Sequence, residues 1–119
     1  MTEHEIASKT IRILTRLGIP RNLRGFGAIV EAVKIIAQNP DNVHQFTKVV
    51  YPTIGKNLNI TQDQAERIIR TAKAKAIERN EAGVLEICGY DITCVIDTIT
   101  NAEFLTGLYY YIMEGDENK

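Results

Sequence analysis

The sequence lacks the residues that most metal sites and disulfide frameworks need. It has only two cysteines, Cys88 and Cys94, and neither lies in a CxxC pair or beside a histidine. A structural zinc site takes about four ligands. We therefore predict no metal site and interpret both cysteines as small apolar core residues. His44 has no ligand-type residue three or four positions on, so we expect it at the surface.

Membrane-spanning and export signals are also missing. No run of about 18 apolar residues occurs, which a transmembrane helix would require. The N-terminus does not show the basic and then apolar pattern of a signal peptide. We therefore predict a cytoplasmic protein that does not contact membranes.

The motifs of common enzyme classes are absent too. The sequence contains no glycine-rich phosphate loop, no GxSxG and no HExxH. Its carboxylates are scattered and form no pair that the sequence can identify. We therefore predict no enzyme, no catalytic residue, no cofactor and no small-molecule substrate.

Length and composition fit one ordinary globular domain. The chain has 119 residues, of which 45% are hydrophobic and 24% charged. The net charge of −1 is unevenly distributed: residues 1–79 hold 13 Lys and Arg against 7 Asp and Glu, whereas residues 80–119 hold 1 against 8. The first part therefore carries +6 and the second −7, which is a dipolar arrangement that can turn one face toward phosphate. A chance distribution with a solubilising acidic tail is the alternative.

Apolar periodicity near 3.6 predicts an all-α bundle of about six helices. Capping boxes mark three helix starts, at Thr2 with Glu5, at Thr61 with Gln64 and at Thr100 with Glu103. Residues 90–99 alternate between apolar and polar side chains and include several β-branched residues, which by propensity favours a strand. A single strand has nothing to pair with, so we expect an extended connector. The predicted helices are 3–17, 22–38, 42–50, a short one from Pro52, 61–79, 81–88 and 100–113.

The stretch from Tyr51 to Arg79 organises this bundle. It predicts two helices joined by a tight turn at Asn59, because Asn tolerates a left-handed backbone, with Gly55 allowing the helices to approach closely. A buried stripe is expected at Ile54, Leu58, Ile60, Ala65, Ile68, Ile69, Ala72 and Ala76. The opposite face carries Asp63, Glu66, Arg67 and Arg70. This is the layout of a helix-turn-helix, and a plain helical hairpin with a solvated charged face is the alternative.

Several segments together resemble one known family. LGIPRNLRGF, TKVVYPTIGKNLNITQDQAERIIR, CGYDI and TNAEF are similar to the C-terminal DNA-binding domain of the master response regulator of sporulation initiation in endospore-forming bacteria. The resemblance covers about residues 11–112. It implies a compact six-helix domain that binds double-stranded DNA in tandem copies, regulates transcription and contacts RNA polymerase. We expect a single helix-turn-helix domain over residues 1–119, without the receiver domain that switches the family.

The resemblance also implies which residues meet DNA. The acidic residue and two arginines of the family's recognition helix correspond to Glu66, Arg67 and Arg70, which are the predicted base readers. Arg can bond guanine O6 and N7, and Glu can accept from cytosine N4. Secondary or phosphate contacts are predicted at Lys48, Lys56, Thr61, Gln62, Gln64 and Lys73.

Departures from the family pattern leave a second hypothesis open. Asp63 and Gln64 replace a Ser and an Arg, Asn57 replaces the second of two lysines, and Ile77 replaces a tryptophan. The changes at residues 57, 63 and 64 lower the positive charge of the contact face, which weakens phosphate binding. The alternative is therefore a protein-interaction module of the same fold that binds or antagonises the sporulation regulator or RNA polymerase without binding DNA.

Overall fold

A computed structural model describes residues 1–90 and 99–117, and every regular element in these ranges is helical. This confirms the all-α prediction. The described ranges contain five α-helices rather than about six. The segments predicted at 61–79 and 81–88 form one element that breaks at Asn80 (φ −152°, ψ 65°), and the segment predicted at 42–50 is not α-helical. The helices are α1 (Glu3–Arg16), α2 (Arg24–Gln38), α3 (Tyr51–Leu58), α4 (Gln62–Cys88) and α5 (Asn101–Glu117).

The helix ends lie where the local signals placed them. Thr61 accepts a hydrogen bond from the Gln64 N–H at 3.1 Å, and the Gln64 side chain accepts one from the Thr61 N–H at 2.8 Å. The boxes at Thr2 and Thr100 form in the same way. Asn59 is left-handed (φ 58°, ψ 49°), as predicted for the turn after α3. These helix ends are therefore confirmed. They could be predicted from the sequence because capping depends only on residues close in sequence.

The predicted α-helix at 42–50 is wrong. The chain instead forms a 3₁₀-helix, Pro40–His44, and a π-helix, Phe46–Val50. Asn42 explains the difference: its side chain is buried and donates to the Ile35 carbonyl at 3.1 Å, which ties this segment back onto α2. A regular helix from residue 42 would have to give up that bond.

The centre of the core is α2, which packs against all four other α-helices. Its inner positions are fully or nearly fully buried. Two further helices, α4 and α5, pack against each other and against α2. The fully buried side chains on these three helices include Ile29, Val33, Ile36, Ile69, Phe104, Leu105 and Leu108.

The buried stripe of the α3–α4 pair is confirmed in its centre and wrong at one end. Ile54, Ala65, Ile69, Ala72 and Ala76 are all 0% exposed. Ile60 and Ile68 are partly buried against the same core.

Leu58 was expected inside but is 38% exposed. It is the last residue of α3, directly before the left-handed Asn59. The chain reversal there brings the Ile60 carbonyl against Gly55, within 2.6 Å of where a Cβ would stand, so the inner space at the turn is filled by backbone. The Leu58 side chain is left at the surface.

The predicted connector at 90–99 lies almost wholly outside the described residues, as does Cys94. Cys88 is half-buried, and burial raises the pKa of its thiol to about 11. His44 is exposed, as predicted. In the part of the chain that the structure describes, no helix is long and apolar enough to cross a membrane.

Candidate nucleic-acid interface

The first half of α4 is fixed to α2 by backbone contact. Gly25 sits so close to α4 that a Cβ there would stand 2.1 Å from the Ile68 carbonyl oxygen and 2.7 Å from the Ala72 Cβ. Only glycine permits this approach. The inner face of α4 is therefore held at one depth, which also fixes the direction of its outer face.

The N-terminal end of α4 is fixed by side chains that were predicted to contact DNA. The Gln64 amide oxygen and the Thr61 hydroxyl are both engaged in the capping box. Gln62 donates its Nε2 to the Thr47 carbonyl at 3.0 Å, which joins α4 to the π-helix. These three residues therefore set the position of the helix end, and each keeps some hydrogen-bonding capacity for a ligand.

The outer face of α4 carries two exposed arginines, Arg67 and Arg70. Arg70 lies 3.6 Å from the Glu66 carboxylate, and the two side chains are 58% and 47% exposed. An exposed pair of this kind contributes little to stability, so both side chains can be redirected toward a ligand at small cost. The three predicted base readers therefore lie together on one accessible surface.

The predicted phosphate contacts are more dispersed. Lys48, in the π-helix, and Lys56, in the last turn of α3, are exposed. Asp63 is exposed in the first turn of α4, where a carboxylate is favourable for the helix dipole.

Lys73 differs from the other predicted lysine contacts. It is half-buried, and its ammonium donates to the Ile99 carbonyl at 2.7 Å. Burial lowers the pKa of Lys73, and Arg70 lowers it further. One of the three donors of the ammonium is thus already used within the protein.

A cleft beside Arg70 was not found from the sequence. It has a volume of about 390 Å³ and brings Tyr51 and Asn101 next to the outer face of α4. Asn101 donates its Nδ2 to the Glu66 carbonyl at 3.0 Å. The two residues are 35 positions apart, so no local pattern could have paired them.

A second groove, of about 540 Å³, lies between the end of α4 and α5. Its lining combines tyrosines and glutamates with Cys88. Within the described ranges, no three His, Cys, Asp or Glu side chains are grouped closely enough to hold a metal ion. The residues that line this groove are Val43, Glu86, Ile87, Cys88, Gly89, Tyr90, Ala102, Glu103, Thr106, Gly107, Tyr110, Tyr111 and Glu114.

The fold and this surface together define a small helical domain in which one helix packs closely against α2 and presents its arginine-bearing face to solvent. The family model described as Sporulation initiation factor Spo0A C terminal matches residues 10–112, so the chain belongs to that family. The family consists of DNA-binding effector domains of a sporulation transcription regulator and is not an enzyme family. This confirms the resemblance that the sequence segments indicated.

Proposed function

We propose that this protein is a sequence-specific DNA-binding transcription regulator in which α3 and α4 act as a helix-turn-helix. Residues 61–79 would enter the major groove as the recognition helix. One observation carries this proposal: Arg67 and Arg70 are exposed on the outer face of α4. The inner face of α4 packs closely against Gly25 of α2.

The chemistry of the outer face suits base edges. Each arginine can donate two parallel hydrogen bonds to guanine O6 and N7, and Glu66 can accept from cytosine N4. Glu66 and Arg70 lie 3.6 Å apart as an exposed ion pair, which can be exchanged for contacts with bases at small cost. All three residues lie within the first three turns of α4, the part of a recognition helix that reaches base edges.

Phosphate contacts would flank these readers. Lys48 and Lys56 are exposed on the two elements that precede α4 and can each neutralise a phosphate. The capped N-terminus of α4, with Thr61, Gln62 and Gln64, adds the positive end of the helix dipole. Tandem binding of copies and contact with RNA polymerase are further proposals, which rest on the family resemblance.

The test is a set of binding titrations on a selected duplex and on a scrambled one, each at two salt concentrations. Arg67→Ala and Arg70→Ala should each weaken specific binding by about 1–3 kcal/mol and relax the preference at one base pair. Lys56→Ala should weaken both duplexes alike and reduce the salt slope by about one. Asp63→Ser should strengthen binding, because it removes a carboxylate that repels phosphate.

A matched control is Arg12→Ala, which removes an exposed arginine from α1 rather than α4 and should leave both affinities close to the parent. If the two α4 variants lose affinity equally for both duplexes, the arginines position the protein without reading sequence. If the parent binds no duplex even at low salt, the protein-interaction alternative takes the place of this proposal.

A further inference from the structure

The start of α5 and the residue two positions before it are bonded to α4 by two hydrogen bonds. Lys73 donates its Nζ to the Ile99 carbonyl at 2.7 Å, and Asn101 donates its Nδ2 to the Glu66 carbonyl at 3.0 Å. We call these four residues the α5 clamp. It joins the proposed recognition helix to a segment that begins 26 residues after Lys73.

The α5 clamp straddles Arg70. Its two anchor points on α4 lie four residues before Arg70 and three residues after it, which is about one helical turn on either side. Arg70 and both donors line the same cleft. A shift of α5 along α4 would therefore change the surroundings of this arginine more than those of Arg67.

Stability alone does not account for Asn101. The residue is 8% exposed, and its Oδ1 is buried without a hydrogen-bond partner among the residues that the structure describes. An unsatisfied buried acceptor costs free energy, and the carbonyl that Nδ2 bonds already accepts an N–H within the helix. The Asn101 side chain also hydrogen-bonds the Tyr51 hydroxyl, so it connects α5 to both α3 and α4.

The Lys73 side chain also makes a hydrogen bond within the protein. Its ammonium is fixed on a main-chain carbonyl, and the residue is half-buried. Its pKa is lowered by burial and by the neighbouring Arg70. A lysine binds phosphate better when its side chain is exposed and its ammonium is free of bonds within the protein.

We propose that Lys73 and Asn101 are positioning residues, which fix α5 against α4 and so hold Glu66 and Arg70 at the depth from which bases are read, without touching DNA themselves. This inference rests on the proposed function. It replaces the direct DNA contact predicted for Lys73 with an indirect role. It also adds Asn101 to the residues that determine specificity.

The first test uses Lys73→Met, which keeps the aliphatic stem and removes the ammonium. Specific affinity should fall roughly three- to tenfold, a part of what one bidentate arginine contact is worth, while scrambled-duplex affinity and the salt slope stay unchanged. Lys73→Arg keeps a donor for the Ile99 carbonyl and should restore the specificity ratio. Lys75→Met is the matched control, because Lys75 lies on the same helix but pairs with Glu78 at 3.2 Å.

The second test uses Asn101→Ala, with circular dichroism to show that the variant is folded at the assay temperature. The ratio of specific to scrambled affinity should fall by a similar factor, and preference should relax at the base pair that Arg70→Ala affects. A change in stability alone would not move that ratio. The double variant should lose no more specificity than the larger single effect, because both changes release the same clamp.

Three results would overturn the inference. A salt slope reduced by about one in Lys73→Met, on both duplexes, would make Lys73 a phosphate contact. If Asn101→Ala and Lys73→Met both fold and keep the parent's ratio of specific to scrambled affinity, the clamp does not position Glu66 and Arg70. A parent that binds no duplex would remove the proposed function and this inference with it, whereas the first two results leave the proposed function intact.

Discussion

The two halves of α4, before and after Asn80, are both packed against a glycine, but not equally tightly. A Cβ on Gly25 would stand 2.1 Å from the Ile68 carbonyl in the first half. A Cβ on Gly107 of α5 would stand 3.0 Å from the Cys88 Cα and 3.1 Å from the Ile87 carbonyl in the second half. The first contact leaves no room for adjustment, whereas the second could be relieved by a shift of a few tenths of an ångström.

The outer faces of the halves differ as well. The first half exposes Arg67 and Arg70, whereas the second exposes Glu81 and Glu86. The break at Asn80 separates them, and its side-chain oxygen accepts from the Gly83 N–H at 3.0 Å, so that it starts the second half as a cap would. The tighter half is thus the cationic one. This agrees with the proposed function, in which base contacts depend on the depth at which the recognition helix is held.

The largest expected effect comes from breaking the tighter contact. Gly25→Ala should destabilise the fold by about 4 kcal/mol or more, since the added carbon meets backbone that cannot move without shifting α4. Urea unfolding followed by circular dichroism measures this loss. Gly27→Ala is the matched control on the same helix, where nothing lies within 4 Å of the new Cβ, and it should stabilise by about 0.5–1 kcal/mol.

The looser contact supplies the comparison for the same assay. Gly107→Ala should change the unfolding free energy by less than about 1 kcal/mol, because the gain in helix propensity offsets the small shift. If Gly25→Ala and Gly107→Ala cost the same, the two halves of α4 are equally well held and the contrast drawn above is wrong.

A smaller effect is expected from the buried face of the first half. Ile69→Ala should cost about 3 kcal/mol, because the side chain is fully buried. Ile68→Ala should cost roughly 1–2 kcal/mol, because Ile68 is only partly buried. Urea midpoints of the two variants give this difference. A cost below about 0.5 kcal/mol for Ile69→Ala would mean that the inner face of α4 is not packed as described.

Removing the cap of either half of α4 should lower the free energy of unfolding by less than Ile69→Ala does. Thr61→Ala should cost about 1 kcal/mol, since it removes the acceptor for the Gln64 N–H. Asn80→Ala removes the acceptor for the Gly83 N–H and should cost about as much. Amide hydrogen exchange at Gln64 and Gly83 would show each loss locally. Protection unchanged at both amides would argue that packing, and not capping, defines the ends of the halves.

Sequence patterns predicted most helix ends because the interactions that set them are local. The capping boxes and the left-handed Asn59 involve residues at most four positions apart. The exposure of Arg67 and Arg70 followed from helical periodicity in the same way. The assignment of these residues to DNA recognition came from the family resemblance, and it stays a prediction.

What the sequence could not predict depends on how the chain turns in space and on contacts between residues that are not neighbours in sequence. Leu58 fits the apolar stripe, yet the turn after it leaves the side chain outside. The segment after α2 departs from a regular helix because Asn42 bonds a carbonyl seven residues back. The Lys73 and Asn101 bonds span 26 and 35 residues, so no local pattern showed that Lys73 also donates to a carbonyl within the protein. The secondary DNA contact predicted for Lys73 stays a prediction.

The smallest expected effect concerns the pH dependence of two capping boxes. The box at the start of α4 uses Gln64, which does not titrate, whereas the box at the start of α5 uses Glu103. A hydrogen bond from the Tyr90 hydroxyl, and then one from the Thr100 N–H, lower the pKa of Glu103 from its ordinary value. A carboxylate whose pKa is lowered by folding stabilises the fold above its unfolded pKa, and this stabilisation is lost as the pH falls through the folded pKa.

Glu103→Gln should therefore destabilise the protein at pH 7 and make no difference at low pH. The loss at pH 7 should stay below about 0.5 kcal/mol, because Glu103 is exposed and its bonds are screened by solvent. Unfolding free energies of the parent and the variant at about pH 7 and about pH 3 measure the difference on both sides of the Glu103 titration. Gln64→Glu is the reciprocal variant and should add a pH dependence of the same sign to the start of α4. A Glu103→Gln difference that persists undiminished at the lower pH would show that the α5 cap does not depend on the charge of Glu103.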